Sequence, residues 1–102
     1  MKTLNETVAL MNSADYKERF AAEYYQLETR YNKLGEMLDK WRKNELDFTP
    51  TCPRAVLTSQ YNRMKQYLKI LITRASIEDI ELEIDVKFDY KPYQKGKKND
   101  KD

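Results

Sequence analysis

Two heptad runs, separated by an eight-residue stretch that cannot continue a helix, constrain this chain more than any other feature. In the first run, Phe20, Tyr24, Leu27, Tyr31, Leu34, Leu38 and Trp41 recur at spacings of 4 and 3. In the second, Leu57, Tyr61, Met64, Leu68, Leu71 and Ala75 do the same. An average spacing of 3.5 keeps one stripe of a helix turned toward a partner helix over several turns, which no strand would do. Helices are therefore expected at about 14–43 and 53–78. Asn44–Thr51 (NELDFTPT) holds turn formers without helical period, and a connection of that length returns the chain as an antiparallel hairpin.

The expected ends of these helices have chemical reasons. Asn12 or Ser13 can cap the first, with Asp15 in its first turn favoured by the positive end of the helix dipole. Pro53 suits an early helical position, where a missing N–H costs nothing, with Thr51 or Cys52 capping. Gly35, inside the first helix, is either tolerated at a cost of about 1 kcal/mol relative to Ala or marks a close approach to the backbone. Thr3-Leu4-Asn5-Glu6 fits the capping box, and Leu4, Val8 and Met11 follow at helical spacing, so a short helix is expected at about 4–11.

After the hairpin the period changes to two. Ile80, Leu82, Ile84, Val86, Phe88 and Tyr90 alternate with charged residues, which reads as a strand over 80–90 that Pro92 ends. Such a strand needs a neighbour. Antiparallel self-pairing centred on Val86 would set Glu81 against Lys91 and Asp85 against Lys87, with Glu83 against Asp89 the one unfavourable pair. The alternative is an extended arm lying on the helices of its own subunit. Thirteen seam residues are also few against the entropy of ordering two long helices, which again points to a homo-oligomer. The expected fold is thus mainly α, an antiparallel two-helix hairpin with a short N-terminal helix and one C-terminal strand paired between subunits. Residues 1–91 form a single domain in this reading, and 92–102 form a disordered basic tail.

Composition removes many functions. The chain has 102 residues, no His and one Cys, so the commonest general base, the commonest metal ligand and any internal disulfide are excluded. There is no Gly-rich phosphate loop and no nucleophile elbow, so neither an enzyme nor a cofactor is expected. A net charge of +2 gives no general attraction to long nucleic acid. No apolar run is long enough for a membrane span and no signal peptide is legible, so a cytoplasmic protein is expected. Glu81, Glu83 and Asp85 would share one strand face and could collect a cation, but a solvated polar face is the simpler account. Cys52 could become a thiolate at a helix N-terminus, and a small buried or capping thiol is the simpler account there.

The charge distribution is more informative than its sum. The second helix carries Arg54, Arg63, Lys65, Lys69 and Arg74 and no acid from Cys52 to Ile77, whereas the first is mixed, with six acids and seven bases from Asp15 to Lys43. An acid-free helix in a balanced protein suggests an anionic contact. Gln60, Tyr67 and Arg74 stand at seven-residue spacing beside the seam, with Arg63 between the first two. Guanidinium groups suit phosphates, tyrosine rings stack on bases and amides read base edges. Tyr16 and Arg19 start the first helix, where the hairpin brings them nearest Arg74. The simpler reading makes Tyr67 a core flank and the bases a solvated face.

At these residues the chain resembles a known family. Asp15-Tyr16-Lys17-Glu18-Arg19-Phe20, Glu23-Tyr24-Tyr25-Gln26-Leu27 and Lys33-Leu34 resemble the first helix of small phage hairpin proteins first named from a crAss-like phage reading frame. Gln60, Met64, Tyr67, Leu71 and Arg74 resemble its second helix, although Arg63 stands where that pattern has a small residue. The family is grouped with the hairpin domain of phage proteins that counter the CBASS and Thoeris immune systems. The resemblance, over about 15–82, implies a homo-oligomer in the host cytoplasm that sequesters a cyclic nucleotide signal between subunits without cleaving it. Tyr16, Arg19, Gln60, Arg63, Tyr67 and Arg74 are the candidate ligand-binding residues. The alternative is a protein-binding inhibitor of a host defence complex, similar to an anti-CRISPR, acting through the hairpin face or the C-terminal strand. A virion component is a third reading, disfavoured because nothing in the chain is repetitive or unusually adhesive.

Overall fold

A computed structural model describes residues 3–91, so the expected C-terminal tail and the Pro92 terminator lie outside the described residues. Three helices follow in order: α1 Thr7–Met11, α2 Tyr16–Arg42 and α3 Arg54–Glu78. The capping box forms reciprocally one turn ahead of α1, with Thr3 N–H donating to Glu6 Oε1 at 2.8 Å and Glu6 N–H to Thr3 Oγ1 at 3.2 Å. The fully buried Thr7 hydroxyl donates to the Leu4 carbonyl at 2.7 Å and accepts from Gln26 Nε2 at 2.9 Å, which ties α1 to α2.

Both long helices differ from expectation at their caps. Asp15 is the N-cap of α2, its carboxylate accepting from Lys17 N–H at 3.0 Å. Ser13 serves the turn before it, accepting from Asp15 N–H at 2.9 Å. At α3 neither Thr51 nor Cys52 caps; Pro53 is the N-cap residue, and its carbonyl accepts from Val56 and Leu57. At the other end, Asp79 takes a left-handed conformation (φ 58°) and Ile80 N–H returns to the Ala75 carbonyl at 2.8 Å. That cap buries Ile80 and aims the following chain back along the hairpin.

Residues 80–90 require a correction. No β-strand occurs among the described residues, and the segment runs extended along its own hairpin. Its alternation is real but comes from lying on a surface, not from a ladder. Ile80, Leu82, Ile84, Val86 and Phe88 turn inward onto the core, while Glu81, Glu83, Asp85, Lys87 and Asp89 face water. Side chains of α2 replace a neighbouring strand. Glu83 N–H donates to the Tyr25 hydroxyl at 2.9 Å, Asp85 N–H donates to Glu28 Oε2 at 2.8 Å, and Asn32 Nδ2 donates to the Asp85 carbonyl at 3.0 Å. Tyr25, Glu28 and Asn32 succeed one another at i, i+3 and i+7, one face of the helix. The pairing between subunits centred on Val86 is overturned with the strand, since Val86 packs on its own chain.

The core is aromatic and lopsided. Phe20, Tyr24, Tyr25, Tyr31, Leu68, Leu71, Ile72, Ala75 and Ile80 form the buried cluster, where α1 and the arm add cover. Leu34, Leu38, Trp41, Leu57, Tyr61 and Met64, toward the other end of the same seam, are only half-buried. There Tyr61 stacks on Tyr31, with centroids 4.3 Å apart and planes at 9°. A Cβ on Gly35 would sit 2.8 Å from Tyr61 Cε1, so the glycine is a place of close approach. Gly35→Ala should lower stability by roughly 1 kcal/mol despite Ala's better helix propensity, because the stacked ring must move; thermal unfolding reads this directly. Glu28 is fully buried and its Oε2 accepts from both Tyr24 and Asp85. Glu28→Ala should cost about 3 kcal/mol by stranding the buried Tyr24 hydroxyl and the part-buried Asp85 N–H, and should raise the hydrogen-exchange rate of the Asp85 amide, with Glu28→Gln milder on both counts.

Candidate functional site

With the arm on one side of the hairpin, the opposite side remains open, and the acid-free helix presents most of its candidate residues there. Residues on α3 that follow the seam by a 100° step in one sense, Lys65 and Lys69, meet the arm, with ammonium groups 5.9 and 5.6 Å from the Phe88 centroid. Residues in the other sense (Gln60, Arg63, Tyr67 and Arg74) are exposed.

One group of candidates is brought together. The Tyr16 hydroxyl donates to Glu78 Oε1 at 2.8 Å and accepts from Arg74 Nη2 at 2.6 Å. Arg74 Nε donates to Glu78 Oε2 at 3.3 Å, and its guanidinium lies 4.8 Å from the Phe20 ring centroid. About two turns away along both helices, the Tyr67 hydroxyl donates to Glu23. Hydrogen bonding to Glu78 holds the Tyr16 phenol above its ordinary pKa, since a carboxylate acceptor favours the protonated phenol, and Glu23 does the same to Tyr67.

The other candidates stand apart. Arg19 Nη1 donates to the Ser13 carbonyl at 2.9 Å and serves the α1–α2 turn. Gln60 and Arg63 lie about 21 and 16 Å along α3 from Arg74, at 1.5 Å per residue. Three site residues escaped sequence reasoning: Glu78, Glu23 and Phe20. Glu78 was visible in principle as the i+4 partner of Arg74. Glu23 and Phe20 needed the hairpin register, which the Tyr31–Tyr61 stack defines.

Two grooves among the described residues lie away from this group. One of about 510 Å³ runs beside α1, lined by Leu10, Lys17, Tyr25 and Ile80 among others. Another of about 470 Å³ opens on the arm side at Tyr31, Gly35, Tyr61 and Asp85. Arg63 borders a shallow depression with Thr58, Ser59 and Asn62. Among the described residues, no group of three or more His, Cys, Asp or Glu could hold a metal ion, and no helix is long and apolar enough to cross a membrane. What the open face offers is a surface of arginines, tyrosines and an amide, with carboxylates already seated on two of its donors. Guanidinium groups in such a surface suit an anion, and the surface lacks a second wall.

The chain belongs to the Sequestin family, whose model matches residues 14–77, a span that takes in α2, the connection and nearly all of α3. All six candidate residues fall inside that span, and the arm falls outside it. No curated protein and no solved structure matches the chain.

Titration of the tyrosines checks the electrostatics of this face. The Tyr16 phenol should ionise above the ordinary value of 10.0 and fall back toward it in Glu78→Gln, because the carboxylate that favours the neutral phenol is then gone. Ultraviolet difference spectra against a Tyr16→Phe control read both values.

Proposed function

We propose that this protein is a phage anti-defence protein that holds a cyclic nucleotide immune signal without cleaving it, at an interface between copies of the chain. The exposed face of α3, which carries Arg63, Tyr67 and Arg74 in a run without acids from Cys52 to Ile77 and lies within the segment matched by the Sequestin family, is what supports this reading most. In it, Arg74, Arg63 and Arg19 hold phosphates, Tyr16 and Tyr67 stack on bases, and Gln60 reads a base edge or a ribose. Arg74 is pre-aimed by Tyr16 and Phe20, and a phosphate reaches it by taking the place of Glu78. A bidentate contact with that guanidinium is stronger than a neutral hydrogen bond, which suits capture of a dilute signal. Host cytoplasm is the compartment in which such a signal would be met.

The protein-docking alternative loses its strand route, because Tyr25, Glu28 and Asn32 already hold the arm's backbone at Glu83 and Asp85.

Calorimetric titration with a panel of cyclic dinucleotides, cyclic trinucleotides and cyclic ADP-ribose isomers tests the reading. At least one should bind and be recovered intact after the protein is denatured. Arg74→Ala should weaken that binding about 10- to 100-fold, and Glu78→Gln should tighten it. No heat and no thermal shift with any member of the panel would retire the proposal.

A further inference from the structure

The open face of α3 carries a second heptad pattern that its own hairpin does not use. Val56, Gln60, Arg63, Tyr67, Ile70, Arg74 and Ile77 recur at spacings of 4 and 3, displaced around the helix from the seam. Four of them are large apolar side chains in water: Val56 is 56% exposed, Tyr67 43%, Ile70 57% and Ile77 43%. A heptad stripe is what a helix shows to another helix over several turns. The α2 helix lies along a different stripe, and the arm lies beyond it on the far side.

We infer that this stripe packs against the same stripe of a second copy, with the two α3 helices antiparallel about a two-fold axis near Tyr67. The pattern reads nearly the same from either end, so this register matches residues in pairs. Val56 meets Ile77 of the second copy, Gln60 meets Arg74, Arg63 meets Ile70, and Tyr67 meets its own equivalent. Apolar ends cover each other, the Gln60 carbonyl can accept from the guanidinium of Arg74, and the Arg63 stem lies along an isoleucine. Every arginine on the stripe faces a neutral residue. A parallel arrangement would set Arg63 on Arg63 with no acid on the stripe to offset the repulsion, and would crowd the two Arg74–Glu78 pairs against each other. The stripe is about 32 Å long. With the adjoining edge of α2 the face is about 20 Å wide, roughly 640 Å² in projection and close to the ~800 Å² per partner of a standard interface.

This pairing bears on the site, and in that respect it rests on the nucleotide reading above. Within one chain Gln60 and Arg63 lie far from Tyr16 and Arg74. Across the two-fold, Gln60 and Arg63 of one copy come beside Tyr16, Ile70 and Arg74 of the other, giving two equivalent crevices that neither copy has alone. The second copy supplies the wall that the open face lacks.

Sedimentation equilibrium of the full chain between about 5 and 200 µM should show a dimer. In a Cys52→Ser background, Tyr67→Cys should be joined into dimers by a short bismaleimide, whereas Asn62→Cys, exposed on the other side of α3, should not. Ile70→Glu should weaken dimerisation at least about tenfold with its helical circular dichroism unchanged. A monomer at every concentration, equal cross-linking at Asn62, or a dimer indifferent to Ile70→Glu would overturn the inference. The two proposals fail separately. A dimer that takes up none of the nucleotides keeps the interface and removes the ligand, and a monomer that binds one keeps the ligand and removes both this interface and the shared crevice.

Discussion

The arm is held by a buried carboxylate. Glu28, with no exposed surface, accepts from the Tyr24 hydroxyl and from the backbone N–H of Asp85, each at 2.8 Å, while its second oxygen has no partner. A polar group so placed is costly unless it is bonded, so Glu28 and the extended segment depend on each other. Without Asp85 the carboxylate would lose one of its two donors. Without Glu28 and its helical neighbours Tyr25 and Asn32, an extended backbone carrying Leu82, Ile84, Val86 and Phe88 would have no partners. Burial and the Glu28 bond together push the Tyr24 phenol well above the ordinary range, so it remains a donor across any physiological pH.

That attachment decides which surface is available for function. A two-helix hairpin has two broad sides, and a chain of this size cannot leave both exposed. Here the arm covers one side, packing Phe88 edge-on to Tyr31 at 5.6 Å and beneath the ammonium groups of Lys65 and Lys69. Two of the five basic residues of α3 thereby belong to the arm's side. A third, Arg54, sits at the first turn of α3, over Trp41 at 5.6 Å. Arg63 and Arg74 remain for the open face, so the basic residues of α3 are divided between the two sides of the hairpin.

The sequence made the helices legible because each carries a seam of six or seven residues, long enough for the 3.5 period to outlast chance. It made Gly35 legible as one of two possibilities, and the Tyr61 ring decides between them. The arm shows where periodicity stops being diagnostic. A period of two says that a backbone is extended with one face buried, and is silent on whether its N–H groups meet another strand or side chains. The deciding residues were Tyr25, Glu28 and Asn32, nearly sixty residues earlier, and nothing local marks them as acceptors and donors for an arm. The caps were misplaced by one to three residues for a similar reason. Several oxygen-bearing side chains stood within reach of α2's first turn, and only the geometry of the turn from Asn12 to Asp15 selects among them. Of the open face, sequence supplied the cations and aromatics and missed the carboxylates that pair with them, because Glu23 acquires its role only through the register of the hairpin.

Those carboxylates shape how such a face can work. Arg74 in water would sample many rotamers, and ordering it on binding would subtract from affinity. Tyr16, Glu78 and Phe20 confine it in advance, and an exposed ion pair of this kind is itself weak enough to exchange. A ligand that brings a second, bidentate acceptor therefore meets an arginine already aimed, and gives up little to displace Glu78. A ligand without charge gains nothing from the exchange. On the proposed reading the pair favours anions over neutral molecules before any base or ribose is read, with residues at the two ends of the hairpin's long helices. That is why the register set by the Tyr31–Tyr61 stack matters at a site about 20 Å away along α3.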